Sequence, residues 1–351
     1  MKKFIPSLFF TLILQICYSQ IVIFDTINKS PIPNVSVVLG SNKFTTISDL
    51  DGSVLITKEL LNNDNTISFS HISYQPKFVK IIYLKQNDTI FLTPIARTLN
   101  DVVVSSNTIK DYLVLKGFYR SYLFNDNIVY GYSDGIVEYY INLKKNEVSR
   151  NSLSNKIISN RLYVRKFENN VKNNLFIKIG NSVNPSLPII IKQSLSHIIS
   201  TIKNNNDTNE LTNNIGNSIK VNYDLLKSEN NIRNIFGIRI ELLKNNSSEE
   251  FSDGRLNPLY LKSISNNSRT KISLKSEGYL KGYFSETLQE FYVLKSNYIS
   301  EETYRKIKTI KSFQIPNSNN IEILMEYKNK FNLPNTPMFI ENQIGSGLEM
   351  K

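Results

Sequence analysis

Side chains that could do chemistry are few, and their spacing is uninformative. Histidine occurs twice, at His71 and His197, and cysteine once, at Cys17. A peptidase-type zinc site needs a His-x-x-Glu pair and a distant third ligand. His71 is followed by Ile72, Ser73 and Tyr74, and His197 by Ile198, Ile199 and Ser200, so neither carries the required Glu. There is no Gly-x-Ser-x-Gly elbow and no phosphate loop. A serine triad would have to recruit one of the two histidines, one in a strand-like run and the other in an apolar helical one. Glu249-Glu250 and Glu301-Glu302 are adjacent pairs. Neighbours in a strand point to opposite faces, and pairs in loops are usually solvated, so neither pair offers the facing carboxylates of a glycosidase. Asp49-Leu50-Asp51-Gly52 opens like a calcium loop but lacks the later oxygen ligands and correctly spaced Glu. It reads as a hairpin turn in which Asp caps backbone N–H groups and Gly takes positive φ. Arg120 and Glu138, on neighbouring strands, are expected to form a structural ion pair. No catalytic, cofactor-binding or metal-ligating residue is assigned, no cofactor is expected, and the chain reads as a non-enzyme.

The formal charge of +12 on 351 residues has to be weighed against codon bias. The chain holds 46 Asn and 32 Lys but a single Ala, Ala96, which is the usage of an AT-rich genome. A nucleic-acid surface would cluster its cations on one face with aromatics set for stacking. Here the lysines are scattered, and the densest run (Arg305, Lys306, Lys308, Lys311) alternates with Ile307 and Ile310. Nucleic acid is therefore not an expected partner.

Residues 1–19 have the order of a secretory signal peptide: Lys2 and Lys3, an apolar run from Phe4 to Ile16, then Cys17-Tyr18-Ser19. A lipoprotein reading would lipidate Cys17, but Ile16 is bulkier than the small residue that precedes such a site. The run is too short to remain as a membrane span of about 30 Å, and no later segment reaches the roughly 18 apolar residues of one. The expectation is an exported protein, periplasmic or associated with the outer membrane and possibly extracellular, with membrane contact only through a partner.

Elements that would position any site begin with a sandwich over residues 20–105. Short β-rich runs, Ile21–Phe24, Val35–Leu39, Phe44–Ile47, Val54–Ile56, Thr66–Ser70, Phe78–Leu84, Thr89–Leu92 and Val102–Val104, alternate with Asn/Asp/Gly turns. That rhythm predicts an antiparallel sandwich or barrel. Four of its motifs, in order, resemble one family. Asp25 with Pro31-Ile32-Pro33-Asn34-Val35 looks like its opening strand and loop, and Thr46-Ile47-Ser48-Asp49-Leu50-Asp51-Gly52 like its hairpin. Ile67-Ser68-Phe69-Ser70-His71-Ile72-Ser73-Tyr74 is similar to its central strand, with Ser73 where Gly is more usual. Thr89–Leu92 and Leu99–Val104 resemble its last strands. The family is the carboxypeptidase-like regulatory domain, a prealbumin-like sandwich of exported Gram-negative proteins. The resemblance implies an accessory module, since in zinc carboxypeptidases the metal sits in a separate domain. The same module precedes the plug and barrel of TonB-dependent transporters. Only 247 residues follow Val104 here, too few for a plug and a barrel of about 22 strands.

Residues 106–351 read as a larger antiparallel β-rich domain with one or two helices. Leu115–Tyr122 and Asn127–Ile141 predict two long strands joined at Asn125-Asp126-Asn127. The pair is similar to a pattern that follows the regulatory domain in exported proteins of undefined function. Further strands are predicted at Leu162–Phe167, Leu175–Ile179, Ile219–Leu225, Ile235–Leu243, Leu259–Ile264, Lys271–Phe284, Glu290–Tyr298 and Ile321–Tyr327. An amphipathic helix is predicted at Ser186–Lys203, and Ser300–Lys311 fits a helix or a strand. The Asn-rich stretches Asn204–Asn217, Asn245–Glu250 and Asn317–Asn320 are expected loops. Tyrosines from Tyr119 to Tyr140 and at Tyr279, Tyr283, Tyr292 and Tyr298 suit sheet faces or a groove for a sugar or peptide. Together these features point to a binding or scaffold protein of the cell envelope, its partner an envelope protein or glycan. The alternatives are an accessory subunit of a TonB-dependent transporter and a hydrolase with a hidden carboxylate pair.

Overall fold

The computed structural model describes residues 18–39, 44–57, 66–85, 88–95, 111–145, 147–160, 211–215, 218–224 and 226–350, the last apart from 227–230, 236, 253–255, 275–281, 313–320 and 342–347. The predicted strands at 162–167, 175–179 and 102–104, the predicted helix at 186–203 and the Asn317–Asn320 loop lie outside these residues, as do the first 17 positions.

Among the described residues, seven strands form two facing sheets. The first sheet orders β4 (Ser53–Thr57), β1 (Tyr18–Asp25) and β7 (Thr89–Leu92); the second orders β3 (Phe44–Ile47), β2 (Ser36–Leu39), β5 (Thr66–His71) and β6 (Tyr74–Lys80). Alternation drives their union. Ile21, Ile23, Val54, Ile56, Ile90 and Leu92 point inward from one sheet, and Val37, Leu39, Ile67 and Phe69 from the other, into one apolar core. The β1–β7 pair is parallel, a departure from the fully antiparallel sandwich expected. The Asp49–Gly52 turn forms as the sequence suggested. Asp51 Oδ1 accepts the Ser53 N–H at 2.9 Å, and Gly52 has φ +74°, where an added Cβ would lie 2.6 Å from the Ile23 carbonyl oxygen.

A ten-stranded antiparallel sheet makes up most of the rest. Its order is β11 (Leu211–Ile215), β12 (Ser218–Asp224), β14 (Ile238–Phe251), β15 (Leu261–Leu274), β16 (Gly282–Ile299), β8 (Tyr112–Asn125), β9 (Ile128–Asn142), β10 (Glu147–Asn160) and β17 (Leu348–Met350), with β13 (Ile232–Ile235) beside β14. Asp126 and Asn127, both at positive φ, make the two-residue turn between β8 and β9 that the sequence predicted. One expected loop, and the described part of the expected 204–217 loop, are strands instead. Asn245–Glu250 lies within β14, paired on both sides by β12 and β15, and Leu211–Ile215 is β11, paired to β12. A strand held between two neighbours overrides the low β-propensity of Asn and Ser. The predicted strand Lys271–Phe284 is two strands: β15 ends at Leu274 and β16 begins at Gly282, with Lys271 opposite Phe284 across the hairpin.

Among the described residues there are three helices, α1 (Glu301–Ser312), α2 (Ile321–Phe331) and α3 (Met338–Glu341). Ile321–Tyr327 was expected to be a strand. Leu324, Tyr327 and Phe331 recur every three to four residues and lie together against Phe118, Ile136 and Tyr292, so the helical period wins. Both faces of β8 and β9 are covered. One face joins Leu113, Leu115, Tyr119, Val137 and Tyr139 to Phe251, Ile264 and Phe291. The other receives the sandwich and the helices. The chain is thus mainly β, with a sandwich and a larger antiparallel sheet.

Candidate functional site

Where the sandwich meets the long sheet, cross-strand pairing writes one polar row. Asn222, Ser248, Ser265, Glu290, Arg120, Asp134 and Lys156 stand directly opposite one another across β12, β14, β15, β16, β8, β9 and β10. Directly paired residues share a face. Two residues to one side on that face run Leu288, Tyr122, Tyr132 and Ile158, which pack with Val38 and Ile47 of the sandwich and with Phe339. To the other side Tyr292, Phe118 and Ile136 pack with Ile72, Leu324 and Leu333. Glu290, Arg120 and Asp134 therefore lie buried between apolar rows, where an unpaired charge would be costly.

Each charge is answered. Arg120 and Glu290, 2% and 1% exposed, form an ion pair in which Nε donates to Oε2 at 2.9 Å and Nη2 lies 2.7 Å from the same oxygen. Burial, the strongest single influence, would favour a neutral Arg120, but the charge and hydrogen bond of Glu290 together with Tyr122 and Tyr132 outweigh it and hold the guanidinium protonated. Asp134, fully buried, accepts from Lys328 Nζ of α2 at 3.0 Å and from the Tyr132 hydroxyl at 2.9 Å. The sandwich docks on the same row. The backbone N–H of Ile72, at the tip of the β5–β6 turn, donates to Glu290 Oε1 at 2.6 Å, and Asn34 Nδ2 donates to Ser265 Oγ at 3.0 Å. Lys156 Nζ donates to Thr336 Oγ1 at 2.9 Å, tying down the segment that follows α2.

The expected Arg120–Glu138 pair does not form. Glu138 faces Lys116 at 3.6 Å and accepts from the Tyr140 hydroxyl at 2.7 Å, whereas Arg120 stands opposite Asp134 and Glu290. His71 is the packed strand histidine expected. It is buried, its Nδ1 accepts the Ser73 N–H at 3.1 Å, and its ring meets Tyr74 edge-on. Tyr119, Tyr122, Tyr132, Tyr139, Tyr140 and Tyr292 are buried on the faces of the sheet. His197 lies outside the described residues.

One cleft of about 460 Å³ opens beside the row. Its first wall is the outer face of β5 and β6, with Ser68, Ser70, Pro76 and Phe78, and its second is the strap from Asn332 to Glu341. Ser68 and Ser70 are small where Val38, on the neighbouring strand and the same face, fills the interface; that difference in size leaves the gap. At the cleft's base sits Arg120. Phe78 is 49% exposed, whereas Phe339 is buried. Glu341 is the one carboxylate among the described lining residues, so the facing pair a glycosidase requires is not present in that lining. Among the described residues no group of three potential metal ligands converges.

Neither a family model nor a curated protein matches the chain. Among solved structures, a 9R-lipoxygenase from Cyanothece PCC8801 is 12% identical with a TM-score of 0.16, aligning 72% of this chain with 39% of the other. A protein of unknown function from Bacteroides fragilis NCTC 9343, described as membrane-associated, is 10% identical with a TM-score of 0.16, aligning 81% of this chain with 99% of the other. At such scores neither likeness carries an argument about fold or activity.

Proposed function

We propose that this chain is an exported, non-enzymatic binding protein of the cell envelope, its sandwich a carboxypeptidase-regulatory-like module and its ligand a glycan held in the cleft between β5–β6 and the Asn332–Glu341 strap. The cleft is the observation that carries this reading. Its lining mixes apolar surfaces at Phe78, Pro76, Pro334 and Pro337 with amides at Gln75, Asn332 and Asn335 and hydroxyls at Ser68, Ser70 and Thr336. Such a mixture suits a sugar, whose ring C–H faces lie on apolar surface while its hydroxyls exchange hydrogen bonds with amides and hydroxyls.

An extended peptide fits less well. Strand addition needs a run of unpaired N–H and C=O groups along an edge. On β6 that run is interrupted: Gln75 N–H already donates to the Thr93 carbonyl at 2.8 Å, Ile95 N–H to that of Ser73 at 2.9 Å, and Pro76 has no N–H to give. The test is a glycan array probed with the full mature chain and with Ser68→Trp, which fills the cleft. Binding by the parent and its loss in a variant with an unchanged melting temperature is the expected outcome. Equal binding by both would place the ligand elsewhere, and no binding by the parent would remove the glycan reading.

A further inference from the structure

We propose that the glycan bound in this cleft carries a carboxylate, as in a uronate sugar, and that the Nη1 edge of Arg120 receives it; this rests on the cleft being a glycan site. A guanidinium offers five N–H donors in a fixed fork. Here Nε–H is satisfied by Glu290 Oε2, while Nη2, though 2.7 Å from that oxygen, does not meet the geometry of a hydrogen bond. Nη1 has Ser70 Oγ at 3.5 Å, at the outer limit of a hydrogen bond. A side chain 98% buried therefore keeps donors poorly satisfied, and it lines the base of the cleft. An incoming oxygen acceptor would complete the fork, and a carboxylate matches it in shape and charge.

The charges around the row permit this. Glu290 offsets Arg120 and Lys328 offsets Asp134, while Lys156, the last residue of the row, is held by the neutral hydroxyl of Thr336 in the cleft wall. Glu341 opposes an anion, but it is exposed at the rim, where water and salt screen it. His71, also in the lining, accepts a backbone N–H through Nδ1, which leaves Nε2 as the protonated nitrogen of the neutral ring.

The experiment is calorimetric titration of the full mature chain with trigalacturonate, with its methyl ester, and with a neutral trisaccharide. The acid is expected to bind at least about tenfold more tightly than the ester, the value of one charge-assisted hydrogen-bond pair. Arg120→Lys, which keeps a cation opposite Glu290 but removes the fork, is expected to bring acid and ester to equal affinity. The acid–ester comparison on the parent chain carries the test whether or not this variant folds. Equal affinity for acid and ester, with binding that Ser68→Trp abolishes, would overturn the carboxylate and leave the glycan site standing. Failure of all three sugars to bind would overturn both.

Discussion

Replacing Glu290 by Gln tests whether the polar row holds the two halves of the molecule together. The substitution keeps the side chain's shape and removes its charge. Arg120 then stays in the channel without its counter-ion, and breaking a buried ion pair from one side costs about 3–5 kcal/mol. The 2.6 Å bond from the Ile72 N–H weakens at the same time, because a neutral amide oxygen accepts less strongly than a carboxylate. A loss of about 4 kcal/mol is expected, against a total native stability of roughly 5–15 kcal/mol. Urea unfolding followed by tyrosine fluorescence reads it, since the chain has no tryptophan to mask the signal. The double variant Arg120→Leu with Glu290→Leu removes both charges and is expected to recover to within about 2 kcal/mol of the parent, because an apolar pair of similar volume suits the site. A loss below about 1 kcal/mol in Glu290→Gln, or a double variant as unstable as the sum of its singles, would refute the reasoning.

Three further outcomes follow from local geometry and burial. Gly135→Ala places a Cβ 2.2 Å from the Ser154 carbonyl oxygen at the β9–β10 bulge, so a loss of about 1–3 kcal/mol is expected in the same assay. Burial pushes the Glu286 carboxyl above its ordinary value, although Lys244 and Arg269 pull it down. A raised folded value means that the contribution of Glu286 to stability is present below the ordinary carboxylate range and is lost as pH rises through the folded value. Glu286→Gln is accordingly expected to be more stable than the parent at neutral pH and no different near pH 3, read as unfolding midpoints across pH. Burial also raises the phenols of Tyr119, Tyr122, Tyr132 and Tyr139 above the ordinary 10.0. The stability they contribute below that value is lost above it, so alkaline absorbance titration should show a tyrosine fraction that ionises only as the protein unfolds.

Local signals in the sequence were read correctly where they depend on nearby residues. The Asp49–Gly52 and Asn125–Asn127 turns follow from side-chain capping and from residues that tolerate positive φ. Register is harder. Counting back from the Asp126-Asn127 turn sets Arg120 opposite Ser133, but a bulge between Leu123 and Phe124 advances the pairing by one and brings Asp134 into place. Gly131, beside the extra residue Tyr130, is a residue type that favours a bulge, but a lone Gly in a strand does not fix the register. Glu290 is 170 residues from Arg120, and Lys328 is 194 from Asp134, so their pairing is a property of strand order and helix docking that spacing cannot reveal. Asn245–Glu250 and Ile321–Tyr327 were misread for related reasons: pairing on both sides overrode composition in one, and a short apolar period fits strand and helix alike in the other. The cleft itself had one legible trace, the serines at 68 and 70 on the outward face of a strand whose inward residues are Ile67 and Phe69.

Hydrogen–deuterium exchange of the protein, with and without the tightest-binding sugar from the array, tests the central claim most directly. Slowed exchange confined to the backbone of 68–78 and 332–341 is the predicted result, because both walls of the cleft close on one ligand. Protection that appears instead on the β4–β1–β7 sheet or on β11 to β13, with 68–78 and 332–341 unchanged, would contradict it.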